Sequence, residues 1–289
     1  AVRAASEEFQ EADLFDRAMP AAFPNQMRFM LYGILVFHGV AAALFFLYPV
    51  ALPQLVGAAA IIFLAIAGWL AFGVFAFCYW TRFWRIPPAI FLFTVWLAFA
   101  SQFNDNHELA RVKLADTPQI EAPRIDQYIN DWLAVRTPYL PKNDGDPEFP
   151  ILVVAAEGGG ARAAYWTGSV LSELERSKSA SGLAARDHIL LISGVSGGSL
   201  GTASYGAGIV SSNYDPAESE ARVDAFLKQD FLSPVTAGAL YHDLFTDFVP
   251  FPLNALDRSR WLEGSWTDGW KKVSDDADTF GEDFRSLWD

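Results

Sequence analysis

The sequence predicts an α/β protein in which N-terminal transmembrane helices precede a domain built on a mainly parallel sheet. Three observations predict it. Residues 29–81 and 86–103 contain no Asp, Glu, Lys or Arg. Two strand–loop–helix units then follow one another, at residues 151–177 and 189–210. The loops of both units are glycine-rich, and the second carries a serine. The expected organisation is an N-terminal segment (1–26), a membrane domain (27–103), a linker and lead-in (104–150) and an α/β domain (151–289).

A helix crossing a bilayer needs roughly 20 apolar residues. Residues 27–48, 54–80 and 87–103 each read as such a span. Tyr48-Pro49 and Pro53 punctuate the first gap, and Tyr79, Trp80 and Trp84 cluster as an interfacial belt does. Gly57, Ala58, Ala59, Ala60, Gly68 and Gly73 would let the helices approach closely. A buried bundle in a soluble protein is the alternative, but uncharged runs this long exceed what a soluble core needs. Arg28, Arg82 and Arg85 mark the cytoplasmic side, which puts the chain after Asn104 outside the cytoplasm. The expected location is therefore integral, of the bacterial inner-membrane type. His38 lies within the first span with no acidic partner in any span, so a helix-contact role is expected.

From Asn104 onward the chain holds 16 Lys+Arg against 29 Asp+Glu, a net charge of −13. Nucleic acid would be repelled, and attachment to anionic lipid through a broad basic surface is excluded. Membrane lipid is the expected partner, reached by hydrophobic anchoring. Cys78 is the single cysteine, so no intrachain disulfide can form.

A short helix is expected over 124–135, then strand 151–156, helix 163–177, strand 189–192 and helix 197–210. This spacing implies parallel strands with right-handed crossovers. Ser196 sits in Gly194-Val195-Ser196-Gly197-Gly198, a Gly-x-Ser-x-Gly turn between strand and helix. A nucleophile on such a strained elbow needs small neighbours, here Gly194 and Gly198. The earlier loop Gly158-Gly159-Gly160-Ala161-Arg162 can aim backbone N–H groups at an oxyanion, each worth ~2.7–4 kcal/mol to a transition state. Arg162 either holds that loop, meets a phosphate, or is a solvated cation at a helix start. Of the histidines, only His242 follows Ser196, without strand-like context, and His188 reads as structural. A Ser–Asp dyad is therefore the more attractive arrangement.

The two glycine motifs together resemble the patatin-like lipid acyl hydrolases over roughly residues 151–288. The resemblance implies a three-layer α/β/α fold, a serine nucleophile, an aspartate base without histidine, and hydrolysis of acyl esters in phospholipids or related lipids. It implies no metal and no cofactor. Ala163 stands where a final loop glycine is common. The family's aspartate lies in an Asp-Gly-Gly or Asp-Gly-Ala turn, whereas the only Asp-Gly pair after Ser196 is Asp268-Gly269, followed by Trp270 in a helical context. The base is thus expected beyond Asp289, with Asp268 as the second candidate and this stretch inactive by itself.

Two rival functions stand beside the hydrolase. The glycine loop also fits a dinucleotide fingerprint, but the second strand ends without the acid that would hold a ribose. A membrane-tethered, non-catalytic binding module is the other. Further helices are expected over 221–231 and 257–272. The aromatic, proline-rich run 245–252 between them reads either as a loop pinned by its rings or as part of an acyl-chain channel or membrane-facing rim.

Overall fold

The computed structural model describes residues 25–84, 88–104, 124–146, 148–177, 183–210, 214–253, 257–274 and 279–280. In chain order the helices are α1 (Asn25–Leu47), α2 (Ala51–Val56), α3 (Ala58–Trp84), α4 (Pro88–Phe103), α5 (Ile125–Arg136), α6 (Gly160–Arg176), α7 (Ala185–His188), α8 (Gly197–Val210), α9 (Pro216–Leu227), α10 (Leu232–Ala237) and α11 (Arg258–Lys271). Strand β1 (Leu152–Ala156) precedes α6, and β2 (Ile189–Gly194) precedes α8. The chain divides into two compact units, Ala1–Glu108 with Asp230–Gly264, and Leu109–Gln229 with Ser265–Asp289. Residues 230–264 thus group with the N-terminal helices.

In the first unit, Phe29–Leu47 is long and apolar enough to cross a membrane, and Ala58–Gly73 and Phe93–Phe103 are shorter apolar helices. The helix of the second expected span begins at Ala58, four residues after the expected start, and runs unbroken to Trp84. Gly57 takes a φ of +85°, in the left-handed region that glycine reaches without strain, and ends α2 before α3 begins. His38 is a helix contact, with Nε2 2.6 Å from the Leu64 carbonyl oxygen and Nδ1 2.8 Å from that of Ile34. Its ring fills the space beside Gly68, whereas Gly73 faces open space.

The core of this unit joins Phe45, Ile61 and Ala65 to Ala237, Tyr241 and Trp261. Helix α10 continues into a π-helix, Gly238–Asp243, and a last helical turn, Leu244–Thr246. No helix is expected here from sequence, since Ser233, Pro234 and Gly238 have weak helix propensity. Here the Asp230 carboxylate accepts from the Leu232 and Ser233 N–H groups at 3.0 and 2.9 Å, and Pro234 sits in the first turn, where its missing donor costs nothing. The aromatic run beyond is held by its rings: Phe248 stacks on Trp69 and packs against Phe93, and Trp96 donates to its carbonyl at 3.1 Å.

In the second unit β1 and β2 pair in parallel, Val154 opposite Ile192 and Ala156 opposite Gly194. Side chains alternate along both strands. The inward set meets the helices, while Val153 is 64% and Leu191 48% exposed. A strand buried on both faces reads as a continuous apolar run. These strands read that way, yet among the described residues the helices α6, α8 and α9 form one packed layer. The expected three-layer arrangement therefore appears here as a two-stranded parallel sheet with helices.

Helix α8 carries almost no side-chain volume and lies close against α6 and α9, as its small residues require. A Cβ at Gly201 would strike the Ala164 carbonyl and Thr167. Helix α9 starts at Pro216, five residues before the expected 221, because the Asp215 carboxylate caps the Ala217 and Glu218 N–H groups at 2.8 and 3.1 Å. Helix α5 lies where expected. Its Trp132 and Tyr128 donate to the Ile189 and Leu190 carbonyls, both at 3.1 Å.

One buried carboxylate ties this layer together. Glu175, near the end of α6, accepts from the Arg186 backbone N–H at 3.1 Å, the Tyr205 hydroxyl at 3.0 Å and the Tyr214 hydroxyl at 2.9 Å. It also pairs with the Arg186 guanidinium. Burial and then the Glu175 charge push the Tyr205 phenol upward; burial and the bond to Glu175 push Tyr214 up to about 12.

Glu175→Ala is expected to destabilise this unit by about 3 kcal/mol, the low end for a breached buried pair because Arg186 reaches solvent. Urea unfolding followed by near-UV circular dichroism measures it, and a loss under about 1 kcal/mol would contradict the buried-anchor role. Because both phenols are raised, their contribution is intact below pH ~10 and falls as pH rises from there through about 12. Tyr214→Phe should flatten that alkaline decline.

Candidate active site

Each of the two βα corners brings glycine to a different use. At the second corner, β2 ends at Gly194 and α8 begins at Gly197, leaving Ser196 on the turn with φ +53°. It is the one described non-glycine residue with a positive φ. An L-residue there costs roughly 1–2 kcal/mol, a strain tolerated at sites that need a side chain presented at a sharp angle. The Ser196 side chain is exposed, and among the described residues its hydroxyl has no hydrogen-bond partner.

At the first corner, Gly158 and Gly159 connect β1 to α6, and Gly160 opens the helix with φ +59°. A Cβ at Gly158 would lie 3.3 Å from the Ser196 Cβ and 3.9 Å from its Oγ. The triple-glycine bend and the serine are therefore neighbours. None of the described residues accepts a hydrogen bond from the N–H of Gly158, Gly159 or Gly160. These donors are free beside an exposed hydroxyl.

The elbow glycines are held by backbone. A Cβ at Gly198 would lie 2.6 Å from both the Ala156 and Glu157 carbonyl oxygens, and one at Gly194 would lie 2.8 Å from Ser199. Gly197, not singled out by the sequence reading, is the tightest position: a Cβ there would collide with the Gly160 carbonyl. Its place directly after the serine was the available signal, since the residue following an elbow nucleophile commonly contributes an N–H. The Val195 N–H donates to the Ala156 carbonyl at 3.0 Å, stitching the two corners across the sheet end.

Arg162 lies on the first turn of α6, exposed and without a charged partner among the described residues. One turn on, Trp166 is 73% exposed. Asp268 is not at a strand-to-turn corner; it lies within α11 with its side chain exposed. His188 is structural: it is buried, Nδ1 is 2.9 Å from the Pro150 carbonyl oxygen, and its ring packs on Phe149. The His242 ring packs against Phe46 and Trp261 in the helical unit. His107 lies outside the described residues.

An exposed serine with a left-handed φ thus lies beside a glycine bend whose amides have no acceptor among the described residues. Residues 154–280 match the family model described as Patatin-like phospholipase. No curated protein and no solved structure matches the chain.

Gly197→Ala tests the closeness of the two corners. The added methyl must push α8 away from Gly160, at a cost of about 1–3 kcal/mol. Thermal unfolding should fall accordingly, whereas Gly206→Ala, in open space on the same helix, should leave it unchanged or raised.

Proposed function

We propose that the protein is a membrane-anchored serine lipid acyl hydrolase of the phospholipase, lysophospholipase or lipase type. The observation that carries this reading is the approach of Ser196 to the free amides of Gly158, Gly159 and Gly160. The Ser196 Oγ attacks the ester carbonyl and its proton passes to a base. The carbonyl oxygen becomes an oxyanion, which the glycine N–H groups, with Gly197 following the serine, stabilise. Collapse expels the alcohol with the proton, and water then releases the fatty acid from the acyl-enzyme. Gly194 and Gly198 leave room for the elbow, and Arg162, without a charged partner among the described residues, receives a phosphate of the lipid headgroup.

The base is an aspartate in a Ser–Asp dyad, and we place it outside the described residues. Asp268 fits poorly, since its helical setting lacks the strand-to-turn corner the resemblance implies. A three-layer domain and three membrane spans, at 27–48, 54–80 and 87–103, complete the reading. Arg28, Arg82 and Arg85 on the cytoplasmic side put the hydrolase domain on the far side. Lipid is then both anchor and substrate, and nucleotides are not partners.

A second reading has one observation in its favour: no described carboxylate or imidazole bonds to Ser196. A degenerate hydrolase fold used for lipid binding would show the same. Fluorophosphonate labelling of the intact protein in detergent separates the two. Ser196→Ala should abolish labelling and Asp268→Asn should leave it within about twofold of wild type, a difference under 0.5 kcal/mol. Equal labelling of wild type and Ser196→Ala removes the serine from the mechanism. A strong loss in Asp268→Asn makes that aspartate the base.

A further inference from the structure

The helical unit contains a groove of about 690 Å³ that the chemistry above leaves unused. Its walls are Ile62, Ile66 and Trp69 of α3 and Ala239 and Leu240 of the π-helix, and its one charged lining group is Arg258. The size falls within the range of small-molecule sites, about 300–1,000 Å³. The Trp69 indole spends its single donor on the Leu240 carbonyl at 2.8 Å, so the wall there is effectively apolar. Arg258 is half exposed. Its Nη1 meets Asp243 at 2.8 Å, and the rest of the guanidinium fork has no partner among the described residues.

Two further features point to a ligand rather than a packing defect. The groove is bounded by π-helical backbone, a distortion that costs hydrogen-bond geometry and is concentrated at functional sites. Its other wall, α3, is apolar around its circumference: Phe63 and Leu70 are 73% and 65% exposed on either side of the groove residues. A helix apolar on every face belongs in a protein core or in lipid. An apolar trough on such a helix, with a cation at its edge, complements one molecule in two parts, an acyl chain and a phosphate.

We propose that this groove holds a glycerophospholipid, with one acyl chain along Ile62, Ile66 and Ala239 and the phosphate on Arg258. The site is built wholly from the helical unit. It rests on the reading of the protein as a membrane-anchored enzyme of lipid esters, and it assigns that enzyme a resident phospholipid.

The test uses the intact protein carrying Ser196→Ala, so that retention is read without turnover, and native mass spectrometry from detergent with added dioleoylphosphatidylglycerol or dioleoylglycerol. One phosphatidylglycerol per chain should be retained, well above dioleoylglycerol, which lacks the phosphate. Filling the groove by Ile66→Trp or Ala239→Trp should lower retention about tenfold, and Arg258→Gln should erase the preference for the phosphorylated lipid. Undiminished retention in a folded groove variant overturns the proposal, as does an unchanged preference in Arg258→Gln. A lipid-free dimer also overturns it, because a second copy would then cover the face. Should both tryptophan variants fail to fold, the half-exposed Arg258→Gln decides. Ester hydrolysis by the protein with Ser196 intact is scored separately, so failure of the enzymatic reading and failure of the lipid site are distinct results.

Discussion

Backbone meeting backbone at the ends of β1 and β2 is the constraint on which the second unit depends. The Val195 N–H reaches across to the Ala156 carbonyl, Gly198 sits against two carbonyl oxygens of the first corner, and Gly197 leaves no room beside Gly160. Side chains would hold these segments several ångströms further apart. With them absent, two helix starts converge, and the amides of one lie beside the hydroxyl of the other. The strain at Ser196 is held by that packing, since a residue in the left-handed region persists only where its surroundings over-determine it.

Stability and site geometry share elements at this point. Helix α8 has almost no side chains with which to grip its neighbours, so its position is set by the close fit to α6 and by polar ties further along. Glu175 supplies those ties, gathering Arg186 ahead of β2, Tyr205 on α8 and Tyr214 before α9 onto the far end of α6. The carboxylate lies at the opposite end of α6 from the glycine bend, so the helix is anchored at its C-terminus by charge and at its N-terminus by close backbone contact. A buried ion with this many donors also specifies one arrangement of three helices, because any other packing would leave the charge unsatisfied.

The helical unit follows a different rule. Its core is made by aromatic and aliphatic side chains, Phe45 and Tyr241 edge to face and Ile61 fully buried. The stretch between α9 and α11 joins it through Trp69, Phe93 and Trp96, so residues inside the family match pack with residues far outside it. The contact units and the family match therefore cut the chain in different places. A family match follows the order of motifs along the sequence, whereas packing follows where apolar faces find partners.

Much was legible in the sequence alone. The uncharged runs, the two βα units, helix 197–210 to the residue, and the placing of Ser196 on a turn all follow from local pattern: hydrophobic period, glycine at corners, small residues beside the serine. What the pattern could not supply was anything settled by distant partners. Gly57 looked like one more small residue in a span, but its left-handed φ separates a short helix before it from the long helix that starts at Ala58. Ser233, Pro234 and Gly238 have weak helix propensity, yet capping by Asp230 and packing of Ala237 and Tyr241 into the core outweigh it. Gly197 gained its importance only from the carbonyl of Gly160, 37 positions away in sequence. Propensity and period act within a few residues; which backbone meets which is decided by tertiary contacts, and in this protein the candidate site is made of those contacts.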